Sequence, residues 1–249
     1  MAGKHNQNLE QSIQRLHKGR TYRDLSTVIV VPTRGEIPAH VVSSWMGLMR
    51  PMNQPCGGPV FFQGDEVGIA YNKAVEWVLQ VNEQCKTNPN ARPFRFMLTL
   101  EEDNVPPPDG LLRLIETIHD GDFDAVGGLY WTKGEEGQPM IYGDPTVIPK
   151  NFAPQPPIPN QTQVCNGLGM GFTLFRVAIF EKMAKDMPRD QYGVRQWFRT
   201  VQEFTPGVGA KAFTQDLYFF DQAVKYGGRF ASDNRVHVGH YDKANDIEW

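Results

Sequence analysis

The sequence predicts one α/β domain in which helices flank a mostly parallel central sheet. Short apolar runs without polar interruption, TVIVV at 27–31 and FRFMLTL at 94–100, read as strands buried on both faces. Segments with apolar residues at helical spacing alternate with them, as crossover helices in a parallel sheet require. At 249 residues, 40% hydrophobic and 21% charged, the chain is long and apolar enough for one sizeable core.

Each element follows from its local pattern. Leu9, Ile13 and Leu16 suggest a short helix over 8–18 in a polar N-terminal arm, residues 1–25, ahead of a domain over 26–249. The first strand, 27–31, stops at Pro32-Thr33-Arg34-Gly35. A second covers 60–62 and turns at Gln63-Gly64-Asp65. The helix from 66 to 85 carries the stripe Ala70, Ala74, Trp77, Val78 and Val81. The strand 94–100 stops at Glu101-Glu102-Asp103-Asn104. Three prolines and Asp109 then introduce a helix over 109–119. A fourth strand spans 124–130. Residues 131–163, rich in Pro, Gly, Asn and Gln, read as a long functional or disordered loop. Order returns with a strand at 172–175 and a helix at 177–185. Residues 186–212 read as irregular. A helix at 214–226 and a strand at 235–238 close the fold.

Bulk properties exclude several classes. The first 20 residues lack an apolar signal region, and no apolar run approaches the roughly 18 residues a bilayer span needs, so a cytoplasmic chain without a membrane partner is expected. A net charge of −3 gives no overall basic signal for nucleic acid. Cys56, Cys85 and Cys165 lack paired spacing and read as free thiols rather than a zinc site.

In an open α/β sheet, ligands sit beyond the carboxyl ends of the strands. Two polar clusters lie there: Thr33-Arg34 and Glu101–Asn104. Adjacent carboxylates repel, and a divalent cation with oxygen ligands, Mg²⁺ or Mn²⁺, would relieve them. Alternation puts Glu101 and Asp103 on one side and Glu102 on the other. A solvated acidic turn that caps the next helix is the plainer reading. His240, after the last strand, could complete a metal site from afar, with His237 as local competitor; a lone histidine is more often structural.

The order of these pieces resembles the GT-A glycosyltransferases, in particular the family-2-like enzymes of bacteria and phages. Pro32-Thr33-Arg34-Gly35 is followed by Tyr71-Asn72-Lys73-Ala74 in a helix, then Glu101-Glu102-Asp103-Asn104, Gly127-Gly128-Leu129-Tyr130, Gly167-Leu168-Gly169-Met170-Gly171-Phe172, Thr214-Gln215-Asp216 and Val238-Gly239-His240. The resemblance spans about 26–242. It implies a GT-A (Rossmann-like) fold, with a nucleotide-sugar half over about 26–130 and an acceptor and catalytic half over about 131–249. It also implies transfer of a sugar from a nucleotide diphosphate donor, UDP-linked by family habit, to a hydroxyl acceptor.

Residue by residue, Glu101-x-Asp103 matches the family's D-x-D motif with Glu for the first Asp. The metal ligands implied are Asp103, His240 and, with a longer side chain, Glu101. Pro32, Thr33 and Arg34 match the loop that meets base and ribose, and Glu102 is grouped with the donor residues. Asn72 and Lys73 match a donor-touching region that usually reads Arg-Asn. Tyr71 stands where that Arg would be, so one diphosphate or sugar contact is in doubt. Gly169 and Gly171 would let backbone approach the donor sugar or acceptor, against the plain reading of a tight turn.

Asp216 is the catalytic choice. As a carboxylate it could take the acceptor proton in an inverting reaction, or orient hydroxyls in a retaining one. The family's Thr-Glu-Asp has Gln215 in the middle here, and a helix N-cap is the competing reading. Trp131, Lys133 and Trp197 (with Arg195 and Arg199) are candidates to line the acceptor entrance. Phage-type relatives suggest hydroxymethylated bases of phage DNA as one acceptor, with Lys and Arg at 17–23, 185–199 and 225–235 as a basic face. Two other readings share the scaffold: a sugar nucleotidyltransferase, and a non-catalytic carbohydrate- or nucleic-acid-binding module on a degenerate GT-A fold.

Overall fold

The structure is a computed structural model. It describes residues 24–52, 54–88, 90–205 and 209–249, without the side chains of 202–205 and 209–212. The helix expected over 8–18 and the basic residues at 17–23 lie outside the described residues.

The central sheet has seven strands. In chain order they are β1 Thr27–Thr33, β2 Cys56–Gln63, β3 Phe96–Leu100, β5 Ala125–Leu129, β7 Thr162–Cys165, β9 Phe172–Arg176 and β12 Phe230–His237. Their spatial order is β2-β1-β3-β9-β5-β12-β7. β2, β1, β3, β5 and β12 run the same way, and β9 and β7 run against them. The mostly parallel sheet expected from the sequence is therefore present, with β9 inserted antiparallel at its centre.

Alternation along the buried strands sends side chains to two separate cores. Val28, Val30 and Met97 face α2 (Val67–Cys85), α4 (Val177–Met183) and α5 (Gln215–Val224). Ile29, Val31 and Leu98 face α1 (Ala39–Met46) and α3 (Gly110–Asp120). α2 begins where Glu66 accepts hydrogen bonds from the N–H groups of Gly68 and Ile69, the normal role of a capping side chain. Buried Val41 and Trp45 explain why the short α1 forms; its single turn-and-a-half of pattern was too brief to stand out in the sequence.

Several regions differ from expectation. Residues 186–212 are not wholly irregular, because β10 (Val201–Thr205) and β11 (Gly209–Phe213) pair as an antiparallel ribbon. The long loop carries β6 (Ile141–Tyr142), which pairs with β8 (Gly167–Leu168), and ends in β7. β12 starts at Phe230, not 235. Its polar stretch Ser232-Asp233-Asn234 resembles a loop but is fully buried, which hydrogen bonding permits. Asp233 takes bonds from Arg235 and Thr117, and Asn234 bonds Gln163 and the Ile158 carbonyl.

A small second sheet decides the geometry of the site. β4 (Asn104–Val105) pairs antiparallel with β13 (Gly239–Asp242), and β14 (Ile247–Glu248) pairs on its other side. His240 stands opposite Asn104, and the Tyr241 N–H donates to the Asp103 carbonyl at 2.7 Å.

Candidate active site

Four parallel strands deliver polar residues to the same edge of the sheet. β1 ends at Thr33-Arg34, β3 at Glu101–Asp103, β5 leads to Trp131–Lys133, and β12 leads to His240. This is the carboxyl edge, where open α/β sheets hold ligands.

The three carboxylates of the acidic turn go to three different partners, because residues 101–103 lie in a turn after β3 and no longer alternate. Glu102 is a brace. It accepts from Thr33 Oγ1 and from the Arg34 backbone N–H, both at 2.8 Å, and from Arg34 Nε at 3.1 Å. It thereby fixes the loop after β1 against the loop after β3, while the Arg34 side chain stays 91% exposed. Pro32 and Thr33 are buried beneath that loop.

Asp103 meets His240. His240 Nε2 lies 3.4 Å from Asp103 Oδ2, and Lys133 Nζ lies 2.6 Å from the same oxygen. Burial pushes the Asp103 carboxyl up, but the hydrogen bonds and charges of His240 and Lys133 outweigh it and leave it below its usual value. On the far side of the ring, His240 Nδ1 is 2.7 Å from the Trp131 carbonyl, which can only accept. Nδ1 therefore carries a proton. A hydrogen bond to Asp103 needs a second proton, on Nε2; without it the Nε2 lone pair would face a carboxylate oxygen and a cation would have to stand between them, where Lys133 Nζ already reaches the same oxygen. Tyr130 packs edge-on against the same ring and holds its plane.

These residues fit a divalent ion. A carboxylate oxygen and an imidazole nitrogen converge, and the nitrogen's tautomer is set by a backbone carbonyl, a common support for ligating histidines. Phosphate and water oxygens ordinarily complete the shell of Mg²⁺ or Mn²⁺. No three His, Cys, Asp or Glu among the described residues are grouped to hold an ion. Glu101, expected as a third ligand, is engaged elsewhere: its Oε1 accepts from Tyr71 Oη at 3.1 Å. His237 belongs to the exposed face of β12.

Glu101 and Asp216 form the poorly compensated part of the site. Burial, then the negative charges of Asp103 and Asp216, push the Glu101 carboxyl from the ordinary 4.5 to about 7. Burial also pushes Asp216 up, against hydrogen bonds from Thr214 and the Leu217 N–H. Thr214 holds the N-cap position with no side-chain cap hydrogen bond, and Asp216, buried within the first turn of α5, accepts from the Leu217 N–H, so part of the capping role expected of it is present. Its charge is felt by Glu101, Tyr71, Tyr130 and Tyr142, so these groups share one region.

Several expected site residues are placed otherwise. Asn72 is buried, and its amide bonds the backbone of Phe198 in both directions, at 3.0 and 2.7 Å, which fixes the side chain against that segment. Lys73 Nζ is held by both carboxylate oxygens of Asp65. Trp197 is 0% exposed and cannot line an acceptor entrance; its Nε1–H donates to Glu76, as does Arg195. Gly169 and Gly171 are small because protein fills the adjoining space. A Cβ would come 2.2 Å from Tyr130 Oη at Gly169 and 2.3 Å from Asn104 Oδ1 at Gly171. Lys133 is turned to Asp103 rather than outward. Within the basic stretches at 185–199 and 225–235, Arg195 pairs with Glu76, Lys225 with Asp221 and Arg235 with Asp233, while Arg199 is exposed.

Sequence reasoning missed one member of the acidic cluster's surroundings and one exposed aromatic. Tyr71, noted only as a departure from Arg, is the hydrogen-bond partner of Glu101. Tyr192, 81% exposed, stands at a cavity of about 800 Å³ between the start of α2 and residues 190–200. An exposed aromatic in a segment of low pattern was the available signal for it.

Two cavities lie at opposite edges. The larger of the two, about 1130 Å³, is bounded by the starts of β1 and β3 and the ends of α2 and α3. That is the amino edge, away from Asp103, His240 and Asp216. The cavity beside the start of α2 is not lined by Asp103, His240 or Asp216 either.

No family model matches the sequence, and no curated protein matches it. Among solved structures, the chain is similar to A197 from STIV at 16% identity and a TM-score of 0.55, over 88% of this chain and 86% of that one. It is also similar to GalNAc-T7, solved with UDP, GalNAc and Mn²⁺, at 10% identity and a TM-score of 0.48, over 88% of this chain and 44% of that one. No helix among the described residues is long and apolar enough to cross a membrane. The sheet order and the likeness to A197 give this chain a GT-A-type α/β fold.

Proposed function

We propose that this chain is a metal-dependent glycosyltransferase that moves a sugar from a nucleoside diphosphate donor to a hydroxyl acceptor. The observation that carries the reading is the meeting of Asp103 and His240 at the carboxyl edge of the sheet, with buried Asp216 near enough to Glu101 for its charge to act there.

Asp103 and His240 Nε2 would hold the ion. When bound, a divalent ion stabilises the negative charge that builds on the departing diphosphate. The chain's own residues do the rest. Thr33 and Arg34, braced by Glu102, form the lip that receives base and ribose. In an inverting reaction the bond from the anomeric carbon to the diphosphate oxygen breaks as the acceptor oxygen bonds to that carbon. The acceptor proton passes to an Asp216 oxygen. Burial raises the proton affinity of Asp216, which brings a carboxylate closer to a useful base at neutral pH. Tyr192 replaces Trp197 as our choice of aromatic surface for the acceptor, in the cavity beside α2. A UDP-linked donor fits the resemblance. DNA with hydroxymethylated bases is the sharpest acceptor to try, although the paired arginines weaken the case for a basic face.

The test is thermal melting against a panel of sugar nucleotides, with and without Mn²⁺, followed by donor hydrolysis with the same panel. We expect one donor to raise Tm only when Mn²⁺ is present, and Asp103→Ala to remove both that shift and hydrolysis. If no sugar nucleotide shifts Tm under either condition, or if Asp103→Ala is as active as the parent, the reading fails.

A further inference from the structure

We propose that Lys133 is a resident counter-cation that occupies Asp103 in the metal-free protein and must leave before a divalent ion can enter. This rests on the reading of Asp103 and His240 as metal ligands.

The three groups meet at one atom. Asp103 Oδ2 faces both His240 Nε2, at 3.4 Å, and Lys133 Nζ, at 2.6 Å. An ion bound by that oxygen and that nitrogen would stand against the ammonium group. Two cations sharing one oxygen repel, so the lysine and the ion are alternatives rather than partners.

The surroundings make the lysine the movable member. Asp103 is fixed through its carbonyl by the Tyr241 N–H, and His240 is fixed through Nδ1 by the Trp131 carbonyl. Lys133 projects from a turn over 131–139 that is closed on itself. Trp131 bridges Pro139, the Thr132 N–H donates to the Gln138 carbonyl, and the Gly137 N–H donates to the Gly134 carbonyl. None of those bonds depends on where the Lys133 side chain points. Its flexible four-carbon stem is one-third exposed and can swing outward while the turn and the two ligands stay in place. The fold thus has a metal-free form in which a carboxylate is already neutralised, and affinity for the ion is lowered by the strength of that contact.

The experiment is Mn²⁺ binding to the full chain without nucleotide, read from the electron paramagnetic resonance signal of free Mn²⁺. Parent, Lys133→Met, Lys133→Arg and Asp103→Asn proteins are compared. We expect Lys133→Met to bind roughly tenfold more tightly than the parent, the factor for a charge-assisted hydrogen bond that no longer has to be broken. Lys133→Arg should bind no more tightly than the parent, because the competing charge is kept, and Asp103→Asn should not bind. If the parent binds, Asp103→Asn does not, and Lys133→Met is equal or weaker, the lysine is no competitor and only this proposal falls. If none of the four binds, or Asp103→Asn binds as the parent does, the metal reading falls and takes this proposal with it.

Discussion

The two edges of the sheet treat charge in opposite ways. At the amino edge several ionised groups stand in one-to-one pairs: Arg95 with Asp24, Arg195 with Glu76, Lys86 with Glu83. Arg176 there donates to the Ile118 and Phe123 carbonyls. At the carboxyl edge Glu101, Asp103 and Asp216 crowd together, and the charges of the other two help to hold Glu101 at about 7. The larger described cavity is at the first edge, yet the chemistry we assign is at the second. Uncompensated charge held in place by burial is costly, so it persists where it has a use, whereas one-to-one pairs are ordinary surface structure.

That contrast can be broken by substitution. The largest effect should come from Asp216→Asn, which keeps the shape of the first turn of α5 but removes the base. We expect transfer to fall by about 10²–10⁴-fold with the melting temperature nearly unchanged, measured as turnover on the donor found by the panel. Turnover within a few-fold of the parent would leave Asp216 as a structural residue.

Glu101→Gln sharpens the comparison through stability. The folded protein holds its Glu101 proton up to about 7, whereas the unfolded chain releases it near 4.5. Stability from this group is therefore full below about 4.5 and is lost as pH rises through about 7. In metal-free buffer the parent should lose stability across that window. Glu101→Gln should flatten the profile and gain on the order of 2–3 kcal/mol at pH 8, by chemical denaturation. An unchanged pH profile would mean that Glu101 is already compensated.

The amino edge should respond least. Arg195→Met leaves Glu76 with only the Trp197 N–H among its described partners, and we expect a loss of about 1 kcal/mol. Transfer should be unaffected. A large loss of turnover would mean that the amino edge takes part in the chemistry and that the contrast drawn here is false.

Much of this protein was legible without coordinates. The runs 27–31 and 94–100 were legible as buried strands ending in polar turns, although the second is a strand only over Phe96–Leu100 and Arg95 is exposed, because strand identity and termination are local matters of side-chain pattern. The alternation of elements gave the mostly parallel sheet. Asp103, His240 and Asp216 were singled out from motif order alone. Polar stretches that the fold buries were harder: Ser232–Asn234 looked like loop because nothing local reveals the partners Thr117, Gln163 and Ile158.

Tertiary structure alone decided who faces whom. Pairing of β4 with β13 carries His240 to Asp103, and no feature near either residue encodes that register. Packing buried Trp197 and closed the amide of Asn72 onto Phe198, where the sequence allowed both to face a ligand. The turn after β3 separated three adjacent carboxylates into a brace, a lysine- and histidine-bound group and a half-buried acid bonded to Tyr71. Composition sets which groups exist, but their charge states depend on distances and burial, and those arise only when segments far apart in the chain are brought together.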